Sequence, residues 1–147
     1  MQYNDAEDLL ASFSRWQVFL CHGKINTEQF HYQVLLNNDF FETWEMIYLS
    51  VSTSNIEWRE RFLELKWLDR RTLVIVEVWE VDFLSKRSCF NCNDIYSCNI
   101  HQLYWEYLEW NFRYVWDLPV IIMEKILNWI KISKMVSAYD KKAIWVV

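Results

Sequence analysis

A single glycine and a single proline in 147 residues limit what this chain can fold into more than any motif does. Backbone amides that bind a phosphate usually come from glycine-rich loops, and Gly23 alone cannot build one. Most nucleotide-binding scaffolds and many catalytic ones are therefore excluded. Ten tryptophans suit a tightly packed core and a recognition surface instead. We expect a protein that acts by binding another protein.

Length and charge place further bounds on this function. The chain is long enough for one domain, residues 1–147, and 53% of its residues are hydrophobic. Its net charge of −5 divides into +3 over residues 118–147 and −8 over the remainder. An acidic body argues against binding to nucleic acid, which needs a cationic face. No apolar run is long enough to span a bilayer, and no secretory signal begins the chain, so we predict an intracellular protein of the cytoplasm or nucleus.

The fold class predicted from the sequence is mainly α. Few glycines and prolines, with frequent Leu, Glu and Trp, favour helices joined by short polar breaks. The prediction is a compact single-domain bundle of about six or seven helices, the last of them amphipathic and basic within residues 118–147. The helices are expected over about 5–20, 27–36, 39–51, 54–68, 102–116 and 119–136.

Residues 72–83 are ambiguous between a helix and a strand. Val74, Val76 and Val78 alternate as in a strand, whereas Val74, Val78 and Val81 also share one helical face. No partner strand is evident, and one strand cannot make a sheet. A helix is therefore predicted, with a strand in a swapped or intermolecular pairing as the alternative.

A cysteine cluster at residues 89–101 predicts a structural zinc site. Cys89, Cys92, Cys98 and His101 have the spacing Cys-x2-Cys-x5-Cys-x2-His, and three thiolates with one imidazole complete a tetrahedral Zn2+ shell. Such a closed site would brace the fold and would not catalyse. The alternative is that the thiols are buried and behave as small hydrophobic side chains.

The segment that starts at Leu118 and Pro119 resembles the opening of an F-box. The family begins with Leu-Pro and continues as an amphipathic helix, whose positions are taken here by Ile122, Lys125, Ile126, Leu127, Trp129 and Ile130. The resemblance covers about 20 to 28 residues. It implies docking on a Skp-type adaptor of a cullin ubiquitin ligase, a layout also found in small viral host-modulating proteins.

A second ubiquitin-ligase motif competes for the same stretch. Asn99, Ile100, Leu103 and Leu108, followed by Leu-Pro, are similar in spacing to a suppressor-of-cytokine-signalling box. That box needs a small residue where Tyr104 stands, and this counts against it.

The predicted function is an intracellular protein–protein interaction module, of the kind seen in viral accessory proteins that recruit or mask a host protein. The predicted contact residues are Leu118, Pro119, Ile122, Ile126 and Trp129, provided that their helix is exposed. No catalytic motif is present, so an enzyme is not predicted. Two alternatives remain open: a self-assembling protein that forms a homodimer through exposed aromatic rings, and a basic helix that binds a membrane surface or calmodulin.

Overall fold

The chain folds around one six-stranded antiparallel sheet, and the prediction of a mainly α helical bundle is wrong. The computed structural model describes residues 4–21, 31–37 and 46–144. The sheet has the strand order β4-β5-β3-β2-β1-β6, with every neighbouring pair antiparallel. The strands are β1 (Gln17–Cys21), β2 (His31–Leu35), β3 (Met46–Thr53), β4 (Leu73–Val76), β5 (Ser88–Asn99) and β6 (Phe112–Asp117).

Five α-helices lie among the described residues, together with two short 3-10 turns. The helices are α1 (Ala6–Ala11), α2 (Ile56–Leu65), α3 (Ile100–Leu108), α4 (Val120–Ile132) and α5 (Ala138–Ala143). The 3-10 turns, Arg70–Thr72 and Val78–Glu80, flank strand β4.

Helices cover both faces of the sheet, as the alternation along β3 shows. Ile47 and Leu49 pack in one apolar cluster with side chains of α1 and α3, whereas Tyr48 packs in another cluster with side chains of α4. Successive residues of a strand point to opposite faces, so these clusters are two separate cores on either side of the sheet. A third, smaller cluster joins α2 to β4 and β5.

Helix α4 is the element that the sequence predicted best. Pro119 is its N-cap residue, and Ile122, Ile126 and Ile130 are buried against the sheet, while the polar side of the helix is exposed. Proline suits the start of a helix, and apolar residues four apart form one stripe. The predicted end at 136 is too late, because the helix ends at Ile132.

Two predicted helices are each a short helix followed by a strand. Residues 5–20 form α1, which is capped by the Asp5 side chain, and then β1. Residues 102–116 form the end of α3 and then β6. The strands β1 and β6 pair with each other, so each supplies the hydrogen-bonding partner that a local pattern could not reveal.

Strand β4 resolves the ambiguous stretch. Residues 73–76 pair with residues 88–91 of β5, so the helix prediction is wrong there and a strand is present. The partner is intramolecular, and it is the segment that had been assigned to a zinc loop. The predicted helices over 27–36 and 39–51 are replaced by β2 and β3 where the structure describes them. The rest of both predictions, with Gly23, lies outside the described residues.

Candidate functional site

Tryptophans are exposed on this protein and do not fill its core. Seven are exposed, Trp129 is half-buried, and Trp44 and Trp145 lie outside the described residues. An exposed large aromatic ring is unfavourable in water, and such rings are typical of binding surfaces. The exposed ones are Trp16, Trp58, Trp67, Trp79, Trp105, Trp110 and Trp116.

Trp67 and Trp110 occupy equivalent positions directly after helices α2 and α3. Leu68 N donates to Leu63 O at 2.9 Å and Trp67 N donates to Glu64 O at 3.2 Å. After α3, Asn111 N donates to Glu106 O at 2.8 Å and Trp110 N donates to Tyr107 O at 3.1 Å. This paired pattern is the Schellman motif, in which the residue after the C-cap has left-handed geometry.

Glycine or asparagine is usual at that position, because a side chain costs conformational energy there. Trp67 has φ 55° and Trp110 has φ 64°, so each ring is carried on left-handed backbone at a cost of roughly 1–2 kcal/mol. Trp67 is 93% exposed and Trp110 is 86% exposed, so burial of the rings does not offset that cost. Trp16, with φ 85°, is the third non-glycine residue with positive φ among those described.

Four exposed aromatic rings and Leu108 stand on α3, on β6 and on the turn between them, and we call this set of residues the α3–β6 surface. These residues lie within a short stretch of the chain, from the second turn of α3 to the end of strand β6. The members are Trp105, Leu108, Trp110, Tyr114 and Trp116. Helix α3 buries Ile100 and Leu103 on its other side, so the exposed residues belong to the side that the core does not use.

A cleft of about 520 Å3 lies beside this surface, between α1, α3 and the β1–β6 pair. The Phe19 and Phe112 rings stack in its wall with centroids 4.4 Å apart. The Tyr114 hydroxyl donates to Asp117 Oδ1 at 2.9 Å, and partial burial, followed by that carboxylate, raises the pKa of the Tyr114 phenol. The lining is mostly apolar and aromatic, as in sites that take an apolar group. Its members are Leu9, Ser12, Gln17, Phe19, Tyr107, Phe112, Arg113 and Tyr114.

A second cleft, of about 660 Å3, lies beside Trp67 between α2 and the end of α4. Its floor is polar: Asn93 Nδ2 donates to Thr72 Oγ1 at 2.6 Å, and Ser133 Oγ donates to Asn93 Oδ1 at 2.7 Å. Because these buried groups satisfy one another, the floor is a structural network that joins β5 to the end of α4.

The predicted zinc ligands are not gathered by the fold. Cys89 packs in the cluster under α2, Cys92 on the α4 face and Cys98 on the α1–α3 face, while His101 is exposed at the start of α3. Within residues 4–21, 31–37 and 46–144, no three His, Cys, Asp or Glu side chains come together as a metal site would require. The prediction that the protein carries zinc is tested by elemental analysis of the purified protein.

Burial suppresses ionisation of the same thiols. It raises the pKa of Cys89 to about 11 and that of Cys98 to about 12, and it raises the pKa values of Cys21 and Cys92 as well. All four are free and buried. A thiol that stays protonated is a poor nucleophile, and in the described structure these four side chains pack as small apolar groups.

The predicted contact residues of the F-box-like segment lie mostly inside the molecule. Leu118, Ile122 and Ile126 are buried in the core between α4 and the sheet, and Pro119 and Trp129 are half-buried. The condition for their use, an exposed helix face, is not met here. The Trp129 ring instead packs against the Arg71 guanidinium, 4.8 Å from the ring centroid.

Sequence reasoning expected tryptophan both in the core and on a recognition surface, but it did not single out the α3–β6 surface. No local signal marked Trp67 and Trp110 as helix ends, because the predicted helices over 54–68 and 102–116 run through both positions. In a chain with almost no glycine, such a position has to be filled by another residue type.

No family model matches this chain, and no curated protein matches it with significance. In the part of the chain that the structure describes, none of the helices has the length and apolar character to cross a bilayer. The function is therefore argued from the surface itself.

Proposed function

We propose that this protein is a binding module for another polypeptide, and that the α3–β6 surface is its principal contact. The observation that carries the proposal is the position of Trp110. Its indole is exposed and stands on left-handed backbone where glycine would be more stable, so it contributes nothing evident to folding. Strained positions that persist in a folded protein are concentrated at functional sites.

The composition of the surface agrees with this role. Tryptophan and tyrosine dominate the residues that carry binding energy in protein interfaces, because they bury a large area at a small cost in side-chain entropy. The α3–β6 surface offers three tryptophans and one tyrosine, and the tyrosine, Tyr114, lines an apolar cleft. A charged nucleic-acid face would have a different lining.

Recruitment of a ligase through the F-box-like segment is a less supported form of the same function. Docking through Leu118, Ile122 and Ile126 would require α4 to leave the sheet, and these side chains are part of its main apolar cluster. The proposal therefore places the partner on the exposed side chains of the α3–β6 surface and not on the buried side of α4.

Comparative affinity purification from cells that express the tagged chain tests the proposal. The variant carries Trp110→Gly and Trp116→Ser, and the matched control carries Trp79→Ser, which removes an exposed ring after strand β4. We expect one polypeptide to be retained by the wild type and the control and to be lost with the variant. The same proteins recovered with all three, at equal amounts, would overturn the proposal.

A further inference from the structure

The two edge strands of the sheet, β4 and β6, differ in length and in exposure. Strand β4 has four residues, and Leu73, Val74 and Val76 are buried. Strand β6 has six residues, and four of them, at 113, 114, 116 and 117, are exposed. Proteins normally shorten or cover an edge strand, because its free backbone groups pair readily with another chain. Edge β4 is protected in this way, whereas none of the described strands pairs with the outer side of edge β6.

Strand β6 uses only one of its two hydrogen-bonding sides within the described structure. Its ladder runs to β1, from Gln17 opposite Asp117 to Cys21 opposite Phe112. Elsewhere in the described ranges, no backbone or side-chain group bonds to the outer side of residues 113–116. With respect to the described residues, these outer N–H and C=O groups have no partner, and an extended backbone is the partner that would satisfy them in series.

The register of β6 against β1 places Tyr114 at the neighbouring cleft. Between Val18 and Phe19 the pairing shifts by one residue, so Val115 is the extra residue of a bulge. On one side of the bulge, Tyr114 pairs with Phe19 and lies at the cleft. On the other side, Trp116 pairs with Val18, which belongs to the core on the other face of the sheet. Bulges commonly re-aim side chains next to binding sites. A strand added at this edge would have alternate side chains beside the cleft.

Charge indicates which side chains such a strand would carry. Arg113 is the one charged residue that lines the cleft, it is exposed, and no ion pair engages it among the residues described. The remaining lining is apolar, aromatic or neutral. An apolar side chain in the cleft and a carboxylate near Arg113 would complement this surface.

We infer that strand β6 binds an extended segment of another protein as a seventh strand, with an apolar side chain in the adjoining cleft and an acidic one at Arg113. In this mode of recognition, main-chain hydrogen bonds supply affinity and a pocket for alternate side chains supplies specificity. The inference rests on the proposed function and names the class of partner: an extended, acidic and apolar peptide segment.

Selection from a phage library of random twelve-residue peptides on the full chain tests the inference. We expect enrichment of peptides that alternate apolar and polar residues and contain Asp or Glu. For an enriched peptide made synthetically, Arg113→Glu should weaken binding about fivefold or more. Lys125→Glu makes the same charge change on exposed α4 and should leave binding unchanged. Bound peptide should slow amide hydrogen exchange at residues 112–117 and not at 73–76.

The other outcomes separate the two proposals. Suppose that Arg113→Glu does not change the binding of the enriched peptides, and that they slow amide hydrogen exchange at residues 63–68. That result would overturn the β6 site, and the proposed function as a peptide-binding module would stand. A dimer in light scattering that is lost with Arg113→Glu, with no enriched peptide, would make a second copy of this chain the occupant and overturn the inference. A monomer with no enriched peptide would also overturn it, and the affinity purification would then decide the proposed function alone.

Discussion

Ser133 and Asn93, forty positions apart in the chain, are joined by a buried hydrogen bond of 2.7 Å from the Ser133 hydroxyl to Asn93 Oδ1. The bond connects the residue that ends α4 to the irregular middle of strand β5, where several β5 residues stand opposite one residue of β3. The Asn93 amide also donates to Thr72 and Asn91, so one side chain holds three segments together.

Asn93→Ala should therefore destabilise the fold strongly. The change leaves the Ser133 hydroxyl and the Thr72 and Asn91 oxygens without this partner in a buried site, and each such loss costs about 1–3 kcal/mol. We expect the free energy of unfolding in urea to fall by roughly 2–4 kcal/mol. The control Asn128→Ala, at an exposed position of α4, should change it little. Equal effects of the two variants would show that the network does not stabilise the fold.

Replacing the left-handed tryptophans by glycine should stabilise the protein. Trp67→Gly and Trp110→Gly each relieve left-handed strain, and we expect a gain of about 1 kcal/mol per site in urea unfolding. Trp105→Gly is the matched control, because Trp105 is an exposed ring within helix α3. Glycine inside a helix should lower stability by about 1 kcal/mol. A loss of stability at Trp67 or Trp110 would contradict the argument that these rings are kept for binding.

Gln33 should be replaceable by an apolar residue with a gain in stability. Its side chain is fully buried in the sheet, and neither its Nε2 nor its Oε1 has a partner in the described structure. A buried amide without hydrogen bonds costs about 1–3 kcal/mol, so Gln33→Met should raise the melting temperature. Gln17→Met is the control: the Gln17 amide accepts from Ser14 N and donates to Ser12 O, so its loss should lower the melting temperature.

Stability should decline above pH 9 because of the buried thiols. The folded pKa of Cys89 is raised to about 11 and that of Cys98 to about 12, whereas an unfolded thiol ionises near its ordinary value. Between these values the unfolded state loses protons that the native state retains, so the free energy of unfolding falls as pH rises. Each thiol contributes roughly 1.4 kcal/mol per pH unit within that window.

Urea unfolding at pH 8 and pH 10 measures this decline, and a Cys98→Ala variant isolates the share of one thiol. The wild type should lose more stability between the two pH values than the variant does. Identical losses would show that Cys98 ionises equally in both states. In the same preparations, a thiol reagent at pH 8 should modify the native protein slowly and all four cysteines after unfolding.

Local signals in the sequence were sufficient for α4 and for the helix caps. Pro119 marks the start of α4 and isoleucines four apart mark its buried side, as the structure shows. The Asp5 side chain caps α1 and the Asn55 side chain caps α2, each by accepting a backbone N–H of the first turn. These features depend on hydrogen bonds and side chains within one or two turns, so a short stretch of sequence contains the whole cause.

Only the tertiary structure decided that the chain forms a sheet and that its tryptophans face outward. Strand β6 pairs with β1 some ninety positions away, and a short apolar stretch such as Gln17–Cys21 suits a helix or a strand until that partner is known. A strand is stabilised by packing against the neighbouring strands, so its own sequence does not contain the whole cause. Whether a tryptophan is exposed depends on which face of its element the other elements leave uncovered. The sequence by itself therefore determined where α4 begins and which thiols were available, whereas the fold separated those thiols and left Trp110 in solvent.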